Sequence, residues 1–322
     1  MSKQVDYCPF LSCQSFFSRK DNMRNFNNYT LSVLSSVCIA IVAFQLMSCD
    51  ARTKRIAAAV VNTKDEIYHQ REDGEINDVA KGDKAFEGET SSGHTQGYEI
   101  PTSTDSDNWI VLRRKGYTTA YNSEARIPFW VAWHLTREHT EGNVKRPRKA
   151  FHEDDDVDYP KATDDDYYNS GYDRGHMCPA ADNKWDEDAM MESFLFTNMC
   201  PQNHGLNVGD WNEMENQCRR WAKKYGDLYI VCGPILYKTT HKRIGRNKVV
   251  VPEAFFKVVM RTTPEPAAIG FVYKNKDGNR PKGDYVNTVD EVERITGFDF
   301  FPNLDDDVED EIEATANLDE WM

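Results

Sequence analysis

Midway along the chain, Tyr172-Asp173-Arg174-Gly175-His176 leads into Met177-Cys178-Pro179. Phe196-Thr197-Asn198-Met199-Cys200-Pro201-Gln202 follows, then Leu206-Asn207, Trp211 and Glu215. An imidazole with an ordinary pKa of about 6.5 is neutral and basic near neutrality, so His176 can take a proton from water. Neutral amide oxygen, as on Asn207, suits a hard cation such as Mg²⁺ that keeps much of its hydration shell. Guanidinium groups such as Arg174 match the planar, bidentate geometry of phosphate. Base, hard-cation ligand and arginines together suit metal-assisted cleavage of a phosphodiester.

Each of these residues also has a plainer reading. A lone histidine is more often a hydrogen-bonded packing residue. Asn207 at the start of a helix is an ordinary N-cap. Glu215 can pair with Arg219 four residues on, and Arg174 with an acidic neighbour. Arg174, Arg219 and one of Arg146 or Arg148 are the candidates for phosphate contacts, and spacing leaves the last choice open. His176, Cys178, Cys200 and His204 offer four potential zinc ligands, but a closed zinc site would consume His176. The acidic run Asp154-Asp155-Asp156-Val157-Asp158 with Asp164-Asp165-Asp166 lacks the spaced ligands and turn glycine of an EF-hand loop, so it reads as a solvated loop.

These residues need elements to hold them. Residues 109–112, 118–121 and 129–135 are rich in β-branched and aromatic side chains between turn signals and read as strands, as do 228–232, 249–251, 255–260 and 267–273. Residues 186–196 read as a helix leading into a strand. Residues 207–224 read as an amphipathic helix, with Trp211, Met214, Cys218 and Trp221 at helical spacing. Eight residues turn a helix by about 80°, so Asn207 and Glu215 can border one groove. Residues 288–296 read as a short helix, and 296–302 close the domain.

The ordered motifs resemble the DNA/RNA non-specific endonucleases, the ββα-metal nucleases that include endonuclease G and the secreted Serratia-type enzyme. The resemblance rests on Asp173-Arg174-Gly175-His176, Thr197-Asn198-Met199 with Pro201-Gln202, and Leu206-Asn207 with Trp211 and Glu215, and covers residues 98–304. It implies an α+β fold with a mostly antiparallel sheet core and a ββα-metal (His-Me finger) motif. It implies His176 as general base and Asn207 as the direct protein ligand of Mg²⁺, with Mn²⁺ or another divalent cation as substitutes. Glu215 would hold a metal-bound water, and Asn198 would position His176 or the substrate. The implied partners are DNA or RNA and a second copy of the chain in a homodimer. The alternative from another class is a non-catalytic, surface-tethered nucleic-acid-binding protein with a degenerate nuclease fold.

Composition bounds this reading. Of 322 residues, 39 % are hydrophobic, with 16 Phe, 15 Tyr and 7 Trp, enough for a substantial core. The formal charge of −14 argues against a nucleic-acid binder if taken whole. The acids are segregated, however: residues 305–320 hold nine and no base, and residues 153–166 hold eight against one lysine. Residues 203–248 carry nine Lys/Arg against four Asp/Glu, and local potential governs the attraction of phosphate.

Arg19, Lys20 and Arg24 precede an uncharged apolar run at 31–47 that ends in Leu46-Met47-Ser48-Cys49. That pattern reads as a secretory signal of lipoprotein type over residues 1–49, with Cys49 lipidated and Met23 an alternative start. It predicts an exported, cell-envelope or periplasmic protein. The plainer alternative is an uncleaved anchor helix. Residues 50–97 are polar and read as a flexible tether, and residues 305–322 as a mobile acidic tail. Cys178, Cys200, Cys218 and Cys232 would permit two disulfides in an exported protein, Cys178–Cys200 foremost, with buried free thiols as the alternative.

Overall fold

The computed structural model describes residues 97–322. The signal segment, Cys49 and all of the expected tether but Gly97 lie outside the described residues. Among the described residues no helix is long and apolar enough to cross a membrane.

Among the described residues there are eleven strands: β1 (Ile110–Arg113), β2 (Thr118–Asn122), β3 (Ile127–Thr136), β4 (Asp173–His176), β5 (Met199–Gln202), β6 (Asp227–Ile235), β7 (Arg243–Ile244), β8 (Val249–Val250), β9 (Ala254–Arg261), β10 (Ala267–Lys274) and β11 (Val286–Asn287). Seven of them form one sheet in the order β1-β2-β3-β6-β9-β10-β11, and every neighbouring pair is antiparallel. β4 and β5 form a separate antiparallel pair, as do β7 and β8. The helices are α1 (Asp164–Tyr167), α2 (Glu187–Glu192), α3 (His204–Leu206), α4 (Asn212–Tyr225), α5 (Val289–Thr296) and α6 (Asp306–Glu313). The fold is α+β on an antiparallel sheet, as the sequence led us to expect.

Strand periodicity explains the layering, because successive side chains point to opposite faces. Val131, Trp133 and Leu135 of β3, Ile230 and Cys232 of β6, and Phe255 and Val259 of β9 share one face. There they pack against Met177, Met199, and Met214, Cys218 and Trp221 of α4. The alternate residues Trp130, Ala132, Val231, Phe256 and Val258 pack on the other face against Val289, Val292 and Ile295 of α5 and Ile312 of α6. Both faces are therefore covered, and β4, β5 and α4, which carry the motif residues, sit on the first. Fully burying one such apolar side chain contributes roughly 1.5–3 kcal/mol.

Helix boundaries follow their caps. Asp186 caps α2 by accepting from the backbone N–H groups of Asp188 and Ala189. Thr288 caps α5 by accepting from Glu291 N, and Gly297 ends it at φ +76°, a left-handed position that favours glycine. The helix expected from residue 207 starts earlier. Asn203 is the cap, its Oδ1 accepting from Leu206 N at 3.1 Å. A wide turn, Asn207–Trp211, then joins α3 to α4 and departs from helical geometry only at Gly209. Asp210 in that turn accepts from Asn279 N at 2.6 Å and from the Tyr285 hydroxyl, which pins it to the loop before β11.

Two acidic segments differ from expectation. Asp154 is buried, chelates Arg114 with both oxygens at 2.6 and 2.7 Å, and accepts from the Thr197 hydroxyl at 2.5 Å. Asp166 is buried as well, accepting from Thr163 and from Asn247 N and Nδ2. These two carboxylates fasten a loop that reads as solvated by composition alone. The tail after residue 304 is docked, not mobile. Val308 and Ile312, four residues apart, lie on the second core, and Trp321 is 1 % exposed, against Trp221 at 4.8 Å and Tyr225 at 6.0 Å. An apolar stripe and one tryptophan outweigh the solvation of nine acids, because seven of the acids are exposed while those side chains face in.

Truncating Trp321 should therefore cost core stability. Trp321→Ala is expected to lower the unfolding free energy by about 3–5 kcal/mol, read from the midpoint of urea unfolding. A freely moving tail would leave the midpoint unchanged.

Candidate active site

β4 presents His176 at its end, in register with Met199 of β5. Gly175 is required there, since a Cβ would come within 2.6 Å of the Gln202 Cβ across the pair. The imidazole lies edge-on to Phe194, with ring centroids 5.0 Å apart, and near Phe151 at 5.7 Å. Its Nε2 is buried and has no hydrogen-bond partner. Burial, and then the nearby charge of Arg146, depress its pKa to about 3. The ring is thus neutral at physiological pH and keeps a lone pair available.

Two hydrogen bonds tie this strand to the helical segment. Trp211 Nε1 donates to the His176 carbonyl at 3.1 Å. Asn207 Nδ2 donates to Asp173 Oδ2 at 2.9 Å, and Asp173 also takes His204 Nδ1 at 2.8 Å. Asn207 is not the helix cap, so its side chain is released for this contact. With Nδ2 on Asp173, the amide oxygen remains as an acceptor. Glu215, two turns further along, is pushed up to about 7 by burial, against the pull of Lys257 and Arg219. Amide and carboxylate oxygens in a partly buried setting are a donor set that fits a hard divalent cation.

The remaining candidates sort themselves by contact. Asn198 is fully buried: its Oδ1 accepts from Cys178 N at 2.9 Å, and its Nδ2 donates to the carbonyls of Cys178 and Ser193, both at 2.8 Å. It fixes the backbone two residues beyond His176 and does not reach outward. Arg146 stacks on the two rings that hold His176, its guanidinium carbon 4.8 Å from Phe194 and 5.2 Å from Phe151. Arg148 is exposed, with no such stacking contact. Arg174 bonds Asp164 at 2.6 Å while lying over Phe151. Arg219 pairs with buried Asp182 at 2.6 Å, not with Glu215, and bonds Asn216.

The cysteines do not pair. Cys178, Cys200, Cys218 and Cys232 are all free and buried. The reason is register: Gly175 faces Cys200, so Cys178 falls three residues past that position. The Cys178 sulfur instead accepts from Asn183 Nδ2 at 3.3 Å. Nor do His176, Cys178, Cys200 and His204 converge as metal ligands among the described residues.

One important residue carried no sequence signal. Lys257 of β9 is fully buried between the Trp133 and Trp211 rings, its Nζ 4.9 and 4.3 Å from their centroids. In the sequence it is one charged residue inside an apolar strand. The strand's alternation, which puts position 257 on the same face as 255 and 259, was the only available hint.

Comparison with known proteins agrees with this geometry. The profile of the DNA/RNA non-specific endonucleases matches residues 94–307. The chain belongs to that family. Among its relatives, the mitochondrial nuclease EXOG of Xenopus laevis is 37 % identical over 231 residues, covering 65 % of this chain and 62 % of the relative. Human mitochondrial endonuclease G is 33 % identical over 209 residues, 59 % of this chain and 69 % of that protein. The match thus spans about three fifths of the EXOG relative's length. A solved EndoG/EndoGI complex superimposes with a TM-score of 0.58 at 30 % identity, covering 61 % of this chain and 86 % of that one. The mitochondrial names of these family members, shared by Nuclease 1 of Schizosaccharomyces pombe, overturn the expectation of an exported, lipid-anchored envelope protein. A basic stretch before an apolar run does not by itself specify which membrane system reads it.

Two measurements probe this endonuclease-family site. Because the folded pKa of His176 lies below its ordinary 6.5, the unfolded chain binds more protons between about pH 6.5 and 3, and stability falls as pH falls through that window. His176→Gln should lose less melting temperature than the parent chain between pH 7 and pH 5, and parallel losses would contradict a buried neutral ring. Lys257→Met, which removes the buried cation that faces the Asp182 and Glu215 carboxylates, should destabilise by about 3–5 kcal/mol in denaturant unfolding.

Proposed function

We propose that the chain is a divalent-cation-dependent endonuclease that hydrolyses phosphodiester bonds of DNA and RNA without sequence preference. The observation that carries this reading is a neutral imidazole with an unpartnered buried nitrogen, on a strand bonded at both ends to the segment bearing Asn207 and Trp211. In this mechanism His176 takes the proton of the attacking water. Asn207 Oδ1 would hold the cation, Mg²⁺ or Mn²⁺, and Glu215 would hold one of the cation's waters. Bound there, it supplies Lewis-acid stabilisation of the charge that develops on the phosphate.

The protein's own residues do the positioning. Asn198 and Trp211 hold the backbone immediately after His176, at its carbonyl and at Cys178 N, so the ring's position is set before substrate arrives. Arg146 is our choice over Arg148 for the phosphate contact, because its guanidinium already lies on the rings around His176. Arg174 offers a second guanidinium on the same Phe151 ring. Arg219 acts indirectly, by holding Asp182 beneath the site. Such phosphate contacts orient the strand and read no bases, which accounts for poor specificity. The relatives' names point to a mitochondrial setting for this activity.

Nicking of supercoiled plasmid and degradation of a structured RNA, each with Mg²⁺, test the proposal. His176→Ala should lower both rates by about 10²–10⁴-fold, and chelation should abolish them. Arg146→Ala should reduce kcat/KM more than Arg148→Ala. Undiminished nicking by His176→Ala would refute the mechanism; nucleic-acid binding without cleavage by the parent chain would make it a binding protein.

A further inference from the structure

On the sheet face opposite the active site, three carboxylates from two helices meet. Asp290 and Glu293 of α5 and Glu313 of α6 each offer an oxygen within 4.8 Å of the other two. Oxygens bound to one Ca²⁺ ion lie about 2.3–2.6 Å from it, so atoms on opposite sides of the ion are about 5 Å apart, and the spacing here fits a shared ion.

Glu313 is the decisive residue. It is 5 % exposed, and its Oε1 is buried with no hydrogen-bond partner. The charges that face it, Glu293, Glu309, Asp290 and Asp299, are all carboxylates. Glu309 Oε1 is also buried and unpartnered. Glu293 uses Oε1 to accept from Phe300 N at 2.7 Å, which fixes its side chain and leaves the second oxygen. A buried carboxylate without a donor or a counter-charge is strongly disfavoured, yet the apolar packing of Val308 and Ile312 forces α6 into this position. A groove lined by Thr102, Asp290, Glu293, Asp299 and one cation, Arg294, which is bonded to Glu291, gives the cluster access to solvent.

We propose that Asp290, Glu293 and Glu313 form a second divalent-cation site, of Ca²⁺ type, that fastens the C-terminal helix α6 to α5. The ligands are hard oxygens, the count leaves room for water to complete a Ca²⁺ shell, and Asp290 lies on the exposed side where that water enters. The site is separate from Asn207 and plays a structural part.

Calcium alone is the probe. Full-length protein stripped of metal is titrated with CaCl₂ by calorimetry, and its melting temperature is followed with and without 1 mM Ca²⁺ at about pH 7.5. One bound ion and a rise of several degrees are expected for the parent chain, and equally for Asn207→Ala. Glu313→Gln and Asp290→Asn should each weaken the calcium Kd at least tenfold and abolish most of the rise. Glu313→Gln replaces an unpaired buried carboxyl with a neutral amide of the same shape and should fold at least as well as the calcium-free parent; Asp290→Asn, at an exposed position, provides an independent check. The proposal is overturned if calcium leaves the parent's melting temperature unchanged, if both variants keep the full rise, or if Asn207→Ala alone loses it.

Discussion

A single buried ammonium organises the sheet face that carries the active site. Lys257 lies in the interior strand β9, 1 % exposed and bracketed by two indole rings. Burial opposes its charge, but the surrounding thiols of Cys232 and Cys218 and the carboxylates of Glu215 and Asp182 raise its pKa above the ordinary lysine value. The cation in turn holds down two acids that burial drives upward, Asp182 and Glu215. Asp182 anchors Arg219 and the Trp133 indole, and Trp211, stacked on the same ammonium, holds the His176 carbonyl. Strand, helix and imidazole are therefore linked through one charge that neither meets solvent nor needs to meet substrate.

The aromatic shell around His176 serves a different purpose. Phe151 and Phe194 remove water from the ring and so keep it unprotonated. The same two faces stack the Arg146 guanidinium, which further disfavours a proton on the ring. In the proposed mechanism such surroundings keep the ring neutral until a charged phosphate arrives, since the incoming anion reverses the local bias.

Legibility from sequence followed the range of the interactions. The strands of the sheet and helix α5 were readable because alternation, capping and a terminal glycine are local signals. The motif residues were readable as a set because strand β4 and the segment after β5 are close in sequence as well as in space. The start of the long helix was missed because two asparagines, Asn203 and Asn207, could each cap it, and only the contact with Asp173 decides which one does. Which of Arg146 and Arg148 lies on the rings around His176 depends in part on Phe194, a residue distant in sequence. The cysteine pairing failed for a similar reason, a register offset that composition does not encode. The acidic tail was misread because counting charges overlooks Val308, Ile312 and Trp321.

The placement of Trp321 bears on how the domain can be extended. It sits against Trp221 in the helix that also carries Glu215, and the next carbonyl, that of Met322, accepts from Lys224 Nζ at 3.0 Å. Whatever continues past position 322, natural or appended in the laboratory, must therefore depart beside the last turn of α4. A purification handle joined there without a spacer would pull on the helix that carries Glu215.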